Sequence, residues 1–159
     1  MKKRIILVGP SCSGKTHLKD RFIAKGYKPD VSYTSRKPRV GETQGEDYHF
    51  VTPWKFEDMI AEEMFYEWVK YEDNYYGTGL REWDECDIFI MESDGIASLG
   101  EHRDECFVIY LNPERIVREN RMRTQRHWSQ RKVKERAKQD FIKFSGFTDY
   151  DLKVSDPDF

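Results

Sequence analysis

The sequence has few cysteines and no long apolar run, and each shortage excludes a class of protein. Its 159 residues include only three cysteines, which lie far apart and form no C-x-x-C pair. Disulfide-stapled domains and zinc sites need more cysteines at closer spacing, so we expect reduced thiols and a cytoplasmic protein. No apolar stretch approaches the length of a membrane span, and the run that begins at Arg4 is too short for a signal peptide.

The sequence also has little net charge, −2 in total, but the charge is unevenly distributed. Between Arg115 and Lys138, ten lysines and arginines face only two glutamates. Such a segment is either a solvated basic helix or an arm that binds a polyanion. No series of aromatic residues accompanies these charges, so we do not expect a nucleic acid as partner.

Hydrophobic patterning predicts a single α/β domain. Short apolar runs predict buried strands at "RIILV", "DIFIM", "CFVIYL" and "YDLKV", and "FYEWVKYEDNYYGT" is strand-like with a turn at residues 72–74. Helices are predicted at "GKTHLKDRFIAKG", at "TPWKFEDMIAEEM" with Thr52 as N-cap, and over one long basic stretch from Pro113 to Phe144. Strands that alternate with helices predict a mostly parallel sheet covered by helices on both faces.

The stretch "GPSCSGKT" matches the G-x-x-x-x-G-K-[ST] phosphate-binding loop, or P-loop, and lies between a predicted strand and a predicted helix. In such a loop the glycines allow backbone N–H groups to point inward, and the helix N-terminus adds partial positive charge. Lys15 would reach the β- and γ-phosphates, and the Thr16 hydroxyl would bind Mg²⁺. The predicted ATP-binding residues are Gly9, Pro10, Ser11, Cys12, Ser13, Gly14, Lys15 and Thr16.

A second anion site is predicted in "SYTSRKPRVGETQGEDYHF". Arg36 and Arg39 lie three residues apart around Pro38, and guanidinium groups bind phosphate in a bidentate manner. Tyr48 would add a neutral hydroxyl donor. Taken singly, each arginine fits a solvated loop and the tyrosine fits a core position with a wet edge.

Together, "GPSCSGKT", "SYTSRKPRVGETQGEDYHFV" and "FYEWVKYEDNYYGT" resemble guanylate kinase, a family of nucleoside monophosphate kinases that phosphorylate GMP. The resemblance is strongest over residues 1–78 and weaker beyond them. It implies a P-loop NTPase core over about residues 1–31, 84–120 and 137–159, an inserted GMP-binding lobe over about 32–83, and a helical lid over about 121–136.

The resemblance also implies roles for single residues. Glu67 would accept hydrogen bonds from N1 and N2 of guanine, which adenine cannot match because its N1 carries no hydrogen. The implied GMP-binding residues are Ser32, Arg36, Arg39, Tyr48, Glu67, Tyr76, Thr78 and Asp94. The implied catalytic residues are Lys15, Arg36, Arg121 and Arg136, and the implied metal ligands are Thr16 and Glu92.

The reaction that the resemblance implies is Mg²⁺-dependent phosphoryl transfer from ATP to GMP or dGMP, without a nucleic-acid or membrane partner. Two alternatives stay open: a kinase for another nucleoside monophosphate, and an inactive module that binds phosphopeptides. The lid stretch "RMRTQRHW" lacks the family's Arg-Gly-Arg-Gly pattern, and the choice between ATP and GTP is open. The family's final helix has no counterpart after "YDLKVSDPDF", so we expect a monomer or a homodimer that covers exposed core.

Overall fold

The computed structural model describes residues 3–156, 158 and 159, which form two separate β-sheets and six α-helices. The strands are β1 Arg4–Val8, β2 Tyr33–Thr34, β3 His49–Phe50, β4 Phe65–Tyr71, β5 Asn74–Gly79, β6 Ile88–Ile90, β7 Cys106–Leu111 and β8 Leu152–Val154. The helices are α1 Lys15–Ile23, α2 Pro53–Ala61, α3 Leu80–Glu85, α4 Ser93–Ala97, α5 Arg115–Thr124 and α6 Gln130–Phe144. A short 3₁₀ helix spans Gly100–Glu105. Within the described residues, no helix is both long and apolar enough to cross a bilayer.

The first sheet has the strand order β6-β1-β7-β8, and all of its strands run parallel. On one face, Leu7 and Ile109 pack against Leu18 and Phe22 of α1. The opposite face is covered by side chains from α3, α4 and α6, namely Trp83, Ile96 and Phe144. The crossover helices that connect parallel strands lie on the faces of the sheet, so a parallel sheet is normally covered on both faces. The predicted fold class, a parallel sheet covered by helices on both faces, is confirmed.

The second sheet has the strand order β3-β2-β5-β4 and is built from residues 33–79. Strands β2 and β3 pair in parallel, whereas β5 pairs antiparallel with both β2 and β4. The β4–β5 connection has two residues, Glu72 and Asp73, with φ values of 47° and 62°. Two left-handed residues match the right-handed twist of a hairpin, so the predicted turn closes a tight hairpin.

The long basic helix predicted from Pro113 to Phe144 is two helices, and that prediction was wrong in this respect. Helix α5 ends at Thr124, and α6 begins after the N-cap Ser129, whose hydroxyl accepts a hydrogen bond from the Lys132 amide at 3.3 Å. Between them, His127 has a φ of 54°, which an α-helix cannot contain. The break lets α5 and α6 pack against each other and carry arginines to one end of the sheet.

Candidate active site

The P-loop connects β1 to α1, as the sequence predicts, and two of its glycines are required by geometry. Gly14, the residue before α1, has a left-handed backbone with a φ of 99°. A β-carbon on Gly9 would lie 2.3 Å from the carbonyl oxygen of Leu111 in β7. Any larger residue at Gly9 would push the loop off the sheet.

The side chain of Lys15 lies inside this loop. Its Nζ donates hydrogen bonds to the carbonyl oxygens of Gly9 at 2.6 Å and Pro10 at 3.0 Å. Burial lowers the pKa of Lys15, and the carboxylates of Glu92 and Asp140 oppose that shift. The lysine is therefore held against the loop, and an incoming phosphate would add negative charge beside it.

A cavity of about 600 Å³ joins the two predicted anion sites. It is lined by all eight P-loop residues and by Arg36, Arg39, Tyr48 and Tyr76 of the second sheet and its loops. The structure thus brings the predicted triphosphate and monophosphate residues around one space. Arginines 121 and 136 line the same cavity.

Glu42 binds Arg36 and Arg39, the two arginines predicted to hold the acceptor phosphate. Its carboxylate accepts hydrogen bonds from both terminal nitrogens of Arg36 at 2.9 and 3.0 Å and from the Arg39 amide at 2.6 Å. Burial alone would lower the pKa of Arg36, but the Glu42 hydrogen bonds outweigh it and raise that pKa. The pKa of Arg39 is lowered by burial and by the nearby charges of Arg36 and Arg126. Sequence reasoning gave Glu42 no role, although the motif "RKPRVGE" contains it.

Two of the predicted guanine contacts, Glu67 and Thr78, form a buried pair. The Thr78 hydroxyl donates to Glu67 Oε1 at 2.8 Å, and both side chains are buried. Burial raises the pKa of Glu67 to about 7, although the hydrogen bonds from Thr78 and its amide lower it. The Ser32 hydroxyl donates to the carboxylate of Asp30. Among the described residues, these three predicted contacts do not line the 600 Å³ cavity.

Two further carboxylates, one predicted as a base contact and one not singled out by the sequence, differ in burial. Asp94, a predicted base contact, is exposed on α4 and is not among the cavity's lining residues in the part of the chain that the structure describes. Asp30, which the sequence did not single out, is buried with one carboxylate oxygen unpartnered among the described residues. Burial raises the pKa of Asp30 to about 7. Only its position two residues before Ser32 could have indicated it.

Helix α6 is tied to the P-loop by two charged side chains. Arg136 Nε donates to Ser11 Oγ at 2.5 Å, and its Nη1 contacts the carboxylate of Glu72. Asp140, one turn further along, accepts a hydrogen bond from the Ser11 amide at 3.1 Å. Nothing in the basic sequence pattern pointed to Asp140. Arg121, at the end of α5, donates to the carbonyl oxygen of Cys12 at 3.2 Å.

The predicted metal ligands fit a magnesium ion. Thr16 and Glu92 line the same cavity, and both offer the oxygen ligands that Mg²⁺ prefers. The Glu92 carboxylate accepts a hydrogen bond from Lys143 Nζ at 2.5 Å. Magnesium is commonly bound through one or two protein oxygens together with phosphate oxygens, and Thr16 and Glu92 would supply the protein oxygens here.

Known proteins similar to this chain share the motifs and the fold. The family model described as guanylate kinase matches residues 1–159. A guanylate kinase of Prochlorococcus marinus strain MIT 9312 is 31% identical, with 97% of this chain and 89% of the relative covered. A guanylate kinase of Rickettsia felis is 30% identical, with 98% of this chain and 85% of the relative covered.

Solved structures show the same architecture. The guanylate kinase from Anaplasma phagocytophilum superposes with a TM-score of 0.71 at 20% identity, over 98% of this chain and 78% of that chain. A shikimate kinase from Bacteroides thetaiotaomicron reaches a TM-score of 0.51 at 18% identity, over 98% and 86% of the two chains. At such identities the likeness establishes the fold alone. Because the family model spans the sequence and relatives at 30–31% identity cover nearly all of it, the chain belongs to the guanylate kinase family of nucleoside monophosphate kinases.

Proposed function

We propose that this enzyme transfers the γ-phosphoryl group of ATP to GMP or dGMP, giving ADP and GDP or dGDP. The observation that carries the proposal is the shared cavity, in which the P-loop faces the guanidinium groups of Arg36 and Arg39. Phosphoryl transfer needs two polyanions in contact, so a cavity with an anion site at each side suits it.

The acceptor phosphate binds to Arg36 and Arg39, with the hydroxyl groups of Tyr48 and Tyr76 as further donors. Burial raises the pKa of Tyr48 to about 12, and burial also raises the pKa of Tyr76. Both phenols therefore keep their protons at neutral pH and donate to the phosphate. Glu42 holds the arginines in place while the acceptor binds.

The base binds through Glu67. Its carboxylate, fixed by the Thr78 hydroxyl, accepts the N1–H and N2–H hydrogens of guanine. An adenine base would place a lone pair against this buried carboxylate, and a site built on hydrogen bonds rejects such an analogue strongly. Ser32 lies beside Asp30 as the further base contact that the family resemblance implies.

The chemistry needs no general base, because the second pKa of a phosphate monoester is about 6 and the acceptor is a dianion at neutral pH. One of its oxygens forms a bond to the γ-phosphorus, and the bond from that phosphorus to the β–γ bridging oxygen breaks. The charges of Lys15, Arg121 and Arg136 neutralise the triphosphate as these bonds change. Thr16 and Glu92 would hold Mg²⁺, which supplies further positive charge to the phosphate oxygens when bound.

The setting of the enzyme is also part of the proposal. The thiols of Cys12, Cys86 and Cys106 are free, which supports a reducing compartment such as the cytoplasm. The proposed oligomeric state is a monomer, or a homodimer that covers Phe107 and Leu152, whose side chains are exposed at one edge of the first sheet.

A coupled assay across nucleoside and deoxynucleoside monophosphates tests the proposal, with ATP as donor. We expect turnover with GMP and dGMP and little with other acceptors. The Lys15→Ala variant should unfold at the same temperature as the parent and lose turnover. A preference for a non-guanine acceptor would overturn the substrate assignment, and a folded protein without turnover on any nucleotide would favour the phosphopeptide-binding alternative.

A further inference from the structure

Phe159 lies at the P-loop, five residues after β8. Its ring is partly buried against the core cluster that contains Leu7 and Ile109, and it lines the 600 Å³ cavity. The ring Cζ lies 3.1 Å from the point that a β-carbon on Gly14 would occupy, and the ring centroid is 6.1 Å from that of His17. The aromatic ring therefore packs against the P-loop at Gly14, where α1 begins.

In the proposed donor complex, the nucleoside would extend past this side of the loop. In a P-loop the amides hold the α- and β-phosphates and the lysine reaches toward the γ-phosphate. The γ-phosphate end is marked by Arg136, which lines a smaller cavity of about 280 Å³ with Arg36 and Arg39. Phe159 is not among the described residues that line the smaller cavity, and it lies instead beside His17.

We propose that the ring of Phe159 is the stacking surface for the purine base of the phosphoryl donor, and that it accepts ATP and GTP with similar affinity. The inference rests on the proposed function, in which the P-loop holds the donor. Every purine presents a π-face, so stacking on an aromatic ring tolerates a change of base.

One polar side chain of the cavity does not favour either purine. The Gln125 side chain lines the cavity and carries both a carbonyl oxygen and an NH₂ group, so it can face the 6-amino group of adenine or the 6-oxo group of guanine. Arg121 Nη1 lies 3.8 Å from the same point above Gly14 that Phe159 contacts, and its flat guanidinium suits either base. Because the donor base is recognised by stacking, we expect low base selectivity at the donor site. The acceptor base is recognised by hydrogen bonds, so we expect high base selectivity at the acceptor site.

The test compares Phe159→Leu, which keeps apolar packing and loses the aromatic face, with Phe159→Trp, which keeps that face. We expect Phe159→Leu to raise the KM of both ATP and GTP about tenfold, as the loss of a base–aromatic contact does. The KM of GMP should stay within about twofold, and Phe159→Trp should keep the parent's donor KM. Phe141→Leu is the matched control, because Phe141 is 67% exposed on α6 and does not line the described cavity.

Binding of ADP and of inorganic tripolyphosphate, measured by calorimetry, separates this inference from the proposed reaction. Phe159→Leu should weaken ADP binding about tenfold and leave tripolyphosphate binding unchanged, because only ADP carries a base. Equal losses for both ligands, an unchanged donor KM in Phe159→Leu, or a parent preference above about tenfold between ATP and GTP would overturn the inference. If Phe159→Leu fails to fold, Phe159→Met takes its place under the same criteria. Absence of turnover on GMP alongside base-dependent ADP binding would overturn the proposed reaction and leave the role of Phe159 standing.

Discussion

Two buried carboxyl groups, Asp30 and Glu67, titrate near neutral pH. Burial raises the pKa of each to about 7, against the opposing hydrogen bonds from Ser32 and Thr78 respectively. For Asp30, the nearby carboxylates of Glu82 and Glu67 raise the pKa further and Lys19 lowers it. Each carboxyl group therefore changes charge within the range in which the enzyme would be assayed.

Titration of Glu67 predicts a pH-dependent affinity for the acceptor. Guanine needs the ionised carboxylate, so below pH 7 the KM of GMP should rise, by up to about tenfold per pH unit. Initial rates from pH 5.5 to 8.5 measure this dependence. Glu67→Gln should raise the KM and flatten its pH dependence, whereas Asp30→Asn should keep the rise at acid pH. A flat KM in the parent would contradict the assigned role of Glu67.

The raised pKa of Asp30 predicts that the free energy of unfolding of the protein depends on pH. Its pKa is raised in the folded state, so its contribution is fully present below the unfolded pKa of about 3.8 and is lost as the pH rises through about 7. Asp30→Asn removes the buried charge. The free energy of unfolding of the variant, relative to that of the parent, should therefore increase as the pH rises from 5 to 8. The gain should reach a few kcal/mol, because each pKa unit corresponds to about 1.4 kcal/mol. Thermal unfolding of both proteins at the two pH values measures it, and a difference independent of pH would refute the prediction.

Substitution of Arg39 is expected to affect binding of the acceptor and not binding of the donor. Arg39→Ala should raise the KM of GMP about tenfold to a hundredfold, because charge-assisted hydrogen bonds to phosphate are lost, and should change the KM of ATP little. Steady-state kinetics with each substrate varied in turn provide the measurement. Arg81→Ala serves as the control, since Arg81 is an exposed α3 residue paired with Glu85. Equal effects of Arg39→Ala on both substrates would count against the acceptor site.

The β4–β5 hairpin and helix α6 contact each other through charged and aromatic groups. At the hairpin tip, Glu72 pairs with Arg136, and the guanidinium of Arg136 lies 5.0 Å from the centre of the Tyr71 ring. Lys143 of α6 lies 3.8 Å from the same ring and bonds to Glu92. The second sheet is thereby linked to helix α6, whose Arg136 lines the cavity.

Loss of the ion pair between Glu72 and Arg136 is predicted to strengthen binding of the donor ATP. Glu72 competes with phosphate for Arg136, so Glu72→Gln should lower the KM of ATP by about twofold to fivefold, in keeping with a half-exposed ion pair worth about 1 kcal/mol or less. Asp73→Asn removes the same charge from the adjacent turn residue and should leave that KM unchanged. An ATP KM that rises in Glu72→Gln would indicate that the pair holds Arg136 in its working position instead.

Elements with a strong local pattern were predictable from the sequence, including the three-residue strands β6 and β8, whereas the two-residue strands and the shortest helices were not. The apolar runs gave β1 and β7, and Thr52 and Pro53 gave the start of α2, where the Thr52 hydroxyl caps the Lys55 amide at 3.1 Å. Strands β2 and β3 have two residues each, and α3 and α4 have six and five, too few for a period to emerge. The break between α5 and α6 depends on the left-handed His127, which propensity does not favour.

The candidate site was predictable to the extent that motifs carried it. The P-loop, Arg36, Arg39, Tyr48 and Tyr76 surround one cavity in the structure. Asp140 and Phe159 escaped notice because each reaches the P-loop only through the fold, from a distant part of the chain. The roles of the site residues, including Asp94 and Glu92, stay predictions.

The two sheets together make the enzyme, because neither contains both anion sites. The first sheet carries the P-loop at the end of β1, and the second sheet and its loops carry the residues proposed to bind the acceptor. The cavity lies between them, with α5 and α6 supplying Arg121 and Arg136. In the proposed reaction, a phosphoryl group would pass from the nucleotide on the P-loop to the nucleotide held by the second sheet.

A crystal structure with GMP and a non-hydrolysable ATP analogue bound together tests this arrangement most directly. We predict that the GMP phosphate contacts the guanidinium groups of Arg36 and Arg39, that the triphosphate lies on the P-loop amides, and that the γ-phosphate points at the GMP phosphate. A GMP phosphate bound away from these arginines, or a triphosphate whose γ-phosphate points away from the acceptor, would contradict the account.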